Sequence, residues 1–212
     1  MSGDGLRQSK HEKSRETLTT EEILEKAKHA FARKGYLGTN LGDVASALGV
    51  TRQAIYYYFP TKHDILVAMF DQFFDHLDQA VADAIDSENE PAERFKAMLR
   101  AHIRTVGSSP QHSSIFMRDD INLSADQRKR IGQRRRHYNN LFVDSYRESV
   151  DAGDFTDEQA NIAVALLLGA ANWTFRWFRP HAESTPDQLA DLATSFLASG
   201  FVKMSSSPEI AE

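Results

Sequence analysis

The stretch Asn40-Leu-Gly-Asp-Val-Ala-Ser-Ala-Leu-Gly-Val-Thr-Arg-Gln-Ala-Ile-Tyr-Tyr-Tyr-Phe59 decides the fold. Leu41, Val44, Ala45 and Leu48 recur at helical spacing and share one face, and Asn40 stands where a side chain caps a helix start. Gly49 supplies a tight turn, and Thr51 caps a second short helix that buries Ile55 and Phe59, four residues apart. Ala45 is small enough for the two helices to pack closely. The opposite face of the second helix presents Arg52, Gln53, Tyr56 and Tyr57. Successive helical residues turn by ~100°, so three consecutive tyrosines cannot all face one core, and at least one meets water.

Outward from this pair the periodicity stays helical, with no convincing strand-like alternation. Thr19 and Glu22 form a capping box ahead of a helix whose Ile23, Ala27, Ala30 and Phe31 supply a third wall. Ser124 with Gln127, Thr156 with Gln159, and Thr185 with Gln188 repeat that signature, and Pro91 opens another helix. Helices are expected at 20–34, 41–48, 52–58, 62–87, 91–107, 110–121, 125–152, 157–178 and 186–203. Gly35, Gly49, Gly107 and Gly153 fall at expected helix ends, where left-handed backbone angles are wanted. Residues 1–17 and 205–212 are polar and expected to be disordered. The expected fold is all-α: a three-helix head at 18–62 and a larger helical domain at 63–204, about nine helices in total. The long helix beginning near Lys62 joins the two, so motion of the body reaches the head.

The totals exclude several classes. With 41 % hydrophobic and 26 % charged residues over 212 positions, the chain can bury a real core. No run of about eighteen apolar residues exists to span a membrane, and no apolar leader opens the chain, so a cytoplasmic setting is expected. The absence of cysteine rules out disulfides, zinc–thiolate sites and thiol nucleophiles. The eight histidines are scattered, with no metalloprotease motif, phosphate-binding glycine loop or nucleophile elbow, so neither catalysis nor a cofactor is expected. His102 and His112 beside Asp119 and Asp120 make one metal-like grouping, but a helical histidine is more often simply a surface or satisfied residue, and no metal is expected. The net charge of −5 is unevenly spread. Residues 1–62 hold ten Lys/Arg against seven Asp/Glu, and the rest hold fifteen against twenty-three. A basic head on an acidic body suits a protein that meets phosphates at one end.

Three short helices around one small core, with a polar-aromatic face left over, describe a helix-turn-helix head that reads double-stranded DNA. The run from Phe31 through Gly35-Tyr36, Thr39, the Val44-Ala45 to Gly49-Val50-Thr51 frame, Ile55-Tyr56-Tyr57-Tyr58-Phe59 and Lys62 resembles the TetR family of transcription regulators. The resemblance implies that residues 52–58 enter the major groove, with Arg52 and Gln53 at base edges and Tyr56 and Tyr57 at phosphates and thymine methyls. It adds Thr39, Asn40 and Thr51 to the DNA contacts, and places Lys62 on a phosphate at the start of the long helix. Gly42 and Tyr58 depart from the family pattern, standing where many members carry larger or imidazole-bearing residues. Arg7, Lys10, Lys13 and Arg15 form either a minor-groove arm or, as the interleaved Asp4, Glu12 and Glu16 favour, a solvated tail.

For the body, the resemblance implies a homodimer built on the last two long helices. Ile162, Leu166, Ala170 and Trp173 line one of them, and Leu189, Leu192 and Phe196 the other. Two such heads read a near-palindrome. The segment Asn172-Trp-Thr-Phe-Arg-Trp-Phe-Arg-Pro180, with Arg134–Phe142 and Gly153-Asp-Phe155, resembles members of the family that govern fatty-acid, steroid and other acyl-thioester breakdown. That implies a small-molecule effector of acyl-CoA type, held by Phe116, Met117, Phe142, Tyr146, Trp173, Arg176 and Trp177, with the arginine-rich run 128–136 near its phosphates. Two plainer readings stand beside it. An aromatic stripe is often core, and the arginines can pair with the acidic helix carrying Asp71, Asp75, Asp78, Asp83 and Asp86. The function expected is repression relieved by the effector, the alternative being a sensor of toxic lipophiles that controls an efflux gene.

Overall fold

The computed structural model describes residues 18–118, 122–157, 159–181 and 184–200. Among them run nine α-helices and no strand: α1 (Thr20–Lys34), α2 (Leu41–Leu48), α3 (Arg52–Tyr58), α4 (Lys62–Ser87), α5 (Pro91–Ser108), α6 (Pro110–Arg118), α7 (Ala125–Asp151), α8 (Ala160–Trp177) and α9 (Pro186–Ser199). The all-helical expectation holds. The tails expected to be disordered, 1–17 and 205–212, lie outside the described residues. Local chemistry explains most helix starts. Reciprocal capping boxes close at Thr19–Glu22, Asn40–Asp43 and Thr185–Gln188, and Ser124 and Gln127 exchange the same two bonds.

The chain forms two compact units. The first holds α1–α3, the start of α4 and residues 111–129. Ile23, Ala27, Phe31, Val44 and Ile55 are enclosed in its head, and Tyr36 meets the Phe31 ring edge-on with centroids 5.4 Å apart. This unit extends past residue 62, where the head was expected to end, because α4 buries aromatic residues beyond it. Phe70 and Phe73 pack on Phe116 of α6 at 5.2 and 4.9 Å. His63 at the start of α4 also bonds to Gln127 at the start of α7.

The second unit holds residues 74–110 and 130–212. Here α5 packs on α8 and α9. Gly107 lies inside α5 with no left-handed angle, contrary to the helix-end expectation. Its bare backbone is what lets α9 approach: a Cβ there would stand 3.1 Å from Leu189 Cδ2 and 3.5 Å from the Phe178 ring. Phe95 meets Phe142, Tyr146 and Phe155 edge-on at 5.4–6.2 Å, and all four rings are fully enclosed. The Thr156–Gln159 cap does not form. Helix α8 begins only at Ala160, with no side-chain bond from Gln159 at its cap. Burial of Phe155 and the bond from the Tyr146 hydroxyl to the Thr156 carbonyl, 3.1 Å, hold that stretch outside the helix.

Candidate nucleic-acid interface

The head positions α3 by its buried side. Ile55 is fully enclosed and Phe59 nearly so, while Thr51 accepts from the Ala54 N–H at 3.2 Å and fixes the helix start. Arg52, Gln53, Tyr56 and Tyr57 are left in solvent, Tyr57 at 73 % exposure. An exposed tyrosine pair beside an arginine and a glutamine on a seven-residue helix offers donors and flat rings that suit groove floors and sugar–phosphate edges. Tyr58 turns away. Its ring stands edge-on to Tyr57 at 5.2 Å, and its hydroxyl donates to the Leu18 carbonyl, tying α3 to the residues ahead of α1.

Around α3 the expected contacts separate. Asn40 is exposed, and its Oδ1 accepts both from the Asp43 N–H and from Arg52 Nη2, at 3.1 and 3.3 Å. The Lys34 ammonium at 2.8 Å, followed by the Asn40 N–H, holds the Asp43 carboxyl below its usual value. Thr39 is only 2 % exposed, and its hydroxyl donates inward to the carbonyls of Gly35 and Ala30. It shapes the α1–α2 turn. Lys62 is also committed to the head. Its ammonium donates to the carbonyls of Tyr36 and Thr39 at 2.8 Å and of Leu37 at 3.4 Å, and lies 4.4 Å from the centre of the Tyr36 ring. These bonds tie the ammonium, expected from sequence to meet a phosphate, to the turn between α1 and α2.

The expected effector residues are divided between the two units. Phe142 and Tyr146 are enclosed in the second unit, and Phe116 packs within the first. The side chain of Met117 lies outside those described. Trp173 and Trp177 are about 60 % exposed on the outer face of α8, with the Arg176 guanidinium 6.0 Å from the Trp173 ring centre. They continue a stripe begun by Ile162, Leu166 and Ala170, and Leu192 and Phe196 of α9 are exposed too. Leu189 instead faces α5 at Gly107. Of the arginine run, Arg134 takes the plainer reading. It binds Asp75 and Asp78 at 2.5 and 2.7 Å and covers the Phe74 ring.

From sequence His102 entered only as part of a metal-like grouping, and the structure encloses it in the core. It is fully buried, with Nδ1 2.8 Å from the Tyr138 hydroxyl. Burial pushes its pKa down to about 4 against a smaller upward pull from Asn172. Its helical position carried no signal beyond the residue type. His112 lies in the other unit beside Phe73, and Asp119 and Asp120 lie outside the described residues. No grouping of three metal-binding side chains occurs among the described residues, and no described helix is long and apolar enough to cross a membrane.

Known proteins match both halves. Residues 23–69 fit the model of bacterial regulatory proteins of the tetR family, and residues 88–201 fit that of the tetracyclin repressor-like C-terminal domain. The HTH-type transcriptional repressor KstR2 of Mycobacterium tuberculosis is 23 % identical over 184 residues, 86 % of this chain and 92 % of that protein. Its structure superposes with a TM-score of 0.81 at 21 % identity, covering 88 % and 97 % of the two chains. A TetR/AcrR-family regulator from Thermobifida fusca is 32 % identical, with a TM-score of 0.67 over 85 % and 96 %. The structure of AibR in complex with isovaleryl coenzyme A and operator DNA gives 0.74 at 23 % identity over 83 % and 96 %. With its helix-turn-helix head and helical C-terminal domain both matched, the chain belongs to the TetR family of DNA-binding transcriptional regulators.

Proposed function

We propose that this chain is a homodimeric repressor of a near-palindromic operator, released by an amphipathic effector of acyl-CoA type. The observation that carries the DNA reading is α3 itself, whose Ile55 is enclosed while Arg52, Gln53, Tyr56 and Tyr57 face water. Residues 18–62 read DNA; residues 63–204 bind the effector and self-associate. Self-association is supported by the apolar stripe of Ile162, Leu166, Trp173 and Trp177 on α8, with Leu192 and Phe196 on α9, all at least half exposed. Two copies meeting there about a two-fold axis cover the stripe and pair the heads on two half-sites.

The effector reading rests on likeness to KstR2, named a repressor, and to AibR, whose structure holds isovaleryl coenzyme A and operator DNA. In this chain the aromatic cluster of Phe142 and Tyr146 is the apolar region an acyl chain would enter, and Arg176, exposed on α8, is a candidate for the polar part. Binding must favour the shape that does not hold DNA, or it shifts nothing. The test is operator binding titrated with acyl-CoAs of increasing chain length, with free coenzyme A and neutral lipophilic drugs alongside. Burying a ten-carbon chain contributes roughly 8 kcal/mol before ordering costs, so a long acyl-CoA should release DNA where free coenzyme A does not. Release by neutral drugs with thioesters inert would instead favour the efflux-sensor reading.

A further inference from the structure

We propose that Gly42 is a specificity-determining position: its missing side chain lets Arg52 lie across the start of α2 against Asn40, aimed at a guanine of the operator. This rests on the reading that α3 enters the major groove. Arg52 is the first residue of α3 and Asn40 the N-cap of α2, and Arg52 Nη2 donates to Asn40 Oδ1 at 3.3 Å. A Cβ built on Gly42 would stand 2.6 Å from Arg52 Nε, 2.7 Å from Nη2 and 2.9 Å from Asn40 Oδ1. All three distances are closer than real Cβ atoms come. The guanidinium, the mobile end of a long side chain, would have to leave.

No backbone angle at this position calls for glycine. Gly42 lies in the first turn of α2 and is not one of the left-handed glycines among the described residues, Gly35, Gly49 and Gly153. An alanine there would favour the helix over glycine. The residue therefore serves the space above it, and that space is filled by Arg52. Held by Asn40, the arginine has lost part of its rotamer freedom before DNA arrives. One of its five N–H groups is used on Asn40, and the others still offer the fork that fits guanine O6 and N7. Asn40 also accepts from the Asp43 N–H at 3.1 Å, so the cap that starts α2 is the same atom that orients the reading arginine.

The experiment selects binding sites from a random-sequence DNA pool with the full chain and its Arg52→Ala, Gly42→Ala and Asn40→Ser variants, each checked for its melting curve. Asn40→Ser keeps a capping oxygen but not the reach to Arg52. Arg52→Ala should erase a guanine preference at one symmetric base pair of each half-site, by roughly tenfold or more. Gly42→Ala and Asn40→Ser should weaken that same preference and leave the other positions unchanged. If Arg52→Ala changes no preference, the reading of α3 itself fails. If Arg52→Ala erases the guanine preference but Gly42→Ala and Asn40→Ser leave it intact, only this inference is overturned. A loss shared equally by all sequences would make Arg52 a phosphate contact, and would overturn it too.

Discussion

The Lys62 ammonium lies 4.4 Å from the centre of the Tyr36 ring and donates to the carbonyl of that same residue at 2.8 Å. With the Thr39 carbonyl also at 2.8 Å, the first residue of α4 closes the turn between α1 and α2. Thr39 closes it from inside through its own hydroxyl.

Lys62→Met should therefore lower stability by roughly 1–3 kcal/mol, the range for hydrogen bonds to a charged group. Unfolding in denaturant reads that loss. Measured where the variant is still folded, the dependence of operator affinity on salt should keep the wild-type slope, because the ammonium neutralises no phosphate. Undiminished stability with a slope reduced by about one unit would put Lys62 on DNA after all.

What was legible in the sequence was whatever a few neighbouring residues decide. The capping pairs at Thr19, Ser124 and Thr185 formed as read, because both partners lie three residues apart. The same signature failed at Thr156, where α8 starts only at Ala160 and Tyr146, ten residues back, binds the Thr156 carbonyl. Periodicity placed Ile55 inward and Tyr57 outward, but it says only which residues share a face and nothing of what covers that face. Trp173 and Trp177 thus read as pocket walls and stand in solvent. Lys62 also binds carbonyls 23 to 26 residues back, partners that no side-chain pattern displays. Gly107 read as a helix end, although its role is set by Leu189 across the unit.

Gly107→Ala sets two effects against each other. Alanine gains about 0.5–1 kcal/mol of helix propensity, while a methyl forced against Leu189 at 3.1 Å overpacks the α5–α9 contact at a typical 1–3 kcal/mol. The variant should be net destabilised by about 1 kcal/mol. Leu189→Ala leaves space at the same point, so the double variant should be more stable than the sum of the two single changes allows. Denaturant unfolding of all four proteins measures the coupling, and strict additivity would mean the two residues do not meet.

Phe196 is 74 % exposed in the single chain, and a symmetric interface meets every introduced charge twice. Phe196→Glu should give a monomer with the helix content of the parent. Operator affinity should fall by roughly 100-fold or more, since two tethered heads gain that much over one. Light scattering and circular dichroism on the same samples decide it. A dimer that survives both Phe196→Glu and Leu166→Glu would move the self-association face off α8 and α9.

His102 links stability to pH, and the sign follows from its burial. Its pKa falls from the usual 6.5 to about 4 when the chain folds, because burial disfavours the charged imidazolium. At pH 7 the ring is neutral in both states and contributes almost nothing. Between 6.5 and about 4 the unfolded chain takes up a proton that the folded chain refuses, so stability drops as pH falls through that window. From pH 7 to pH 5 the loss is about 2 kcal/mol, and it levels off about one pH unit below 4. His102→Gln removes the titrating group while keeping a polar side chain near the Tyr138 hydroxyl, which stands 2.8 Å from Nδ1 in the parent. Denaturant unfolding at pH 7, 6 and 5 should then show the parent losing about 2 kcal/mol more than the variant, since the remaining seven histidines are common to both. The comparison is between slopes, so it survives any constant cost of placing glutamine in the core. Parallel lines for the two proteins would show that His102 takes up its proton equally in both states, and that its burial puts no charge penalty on the fold.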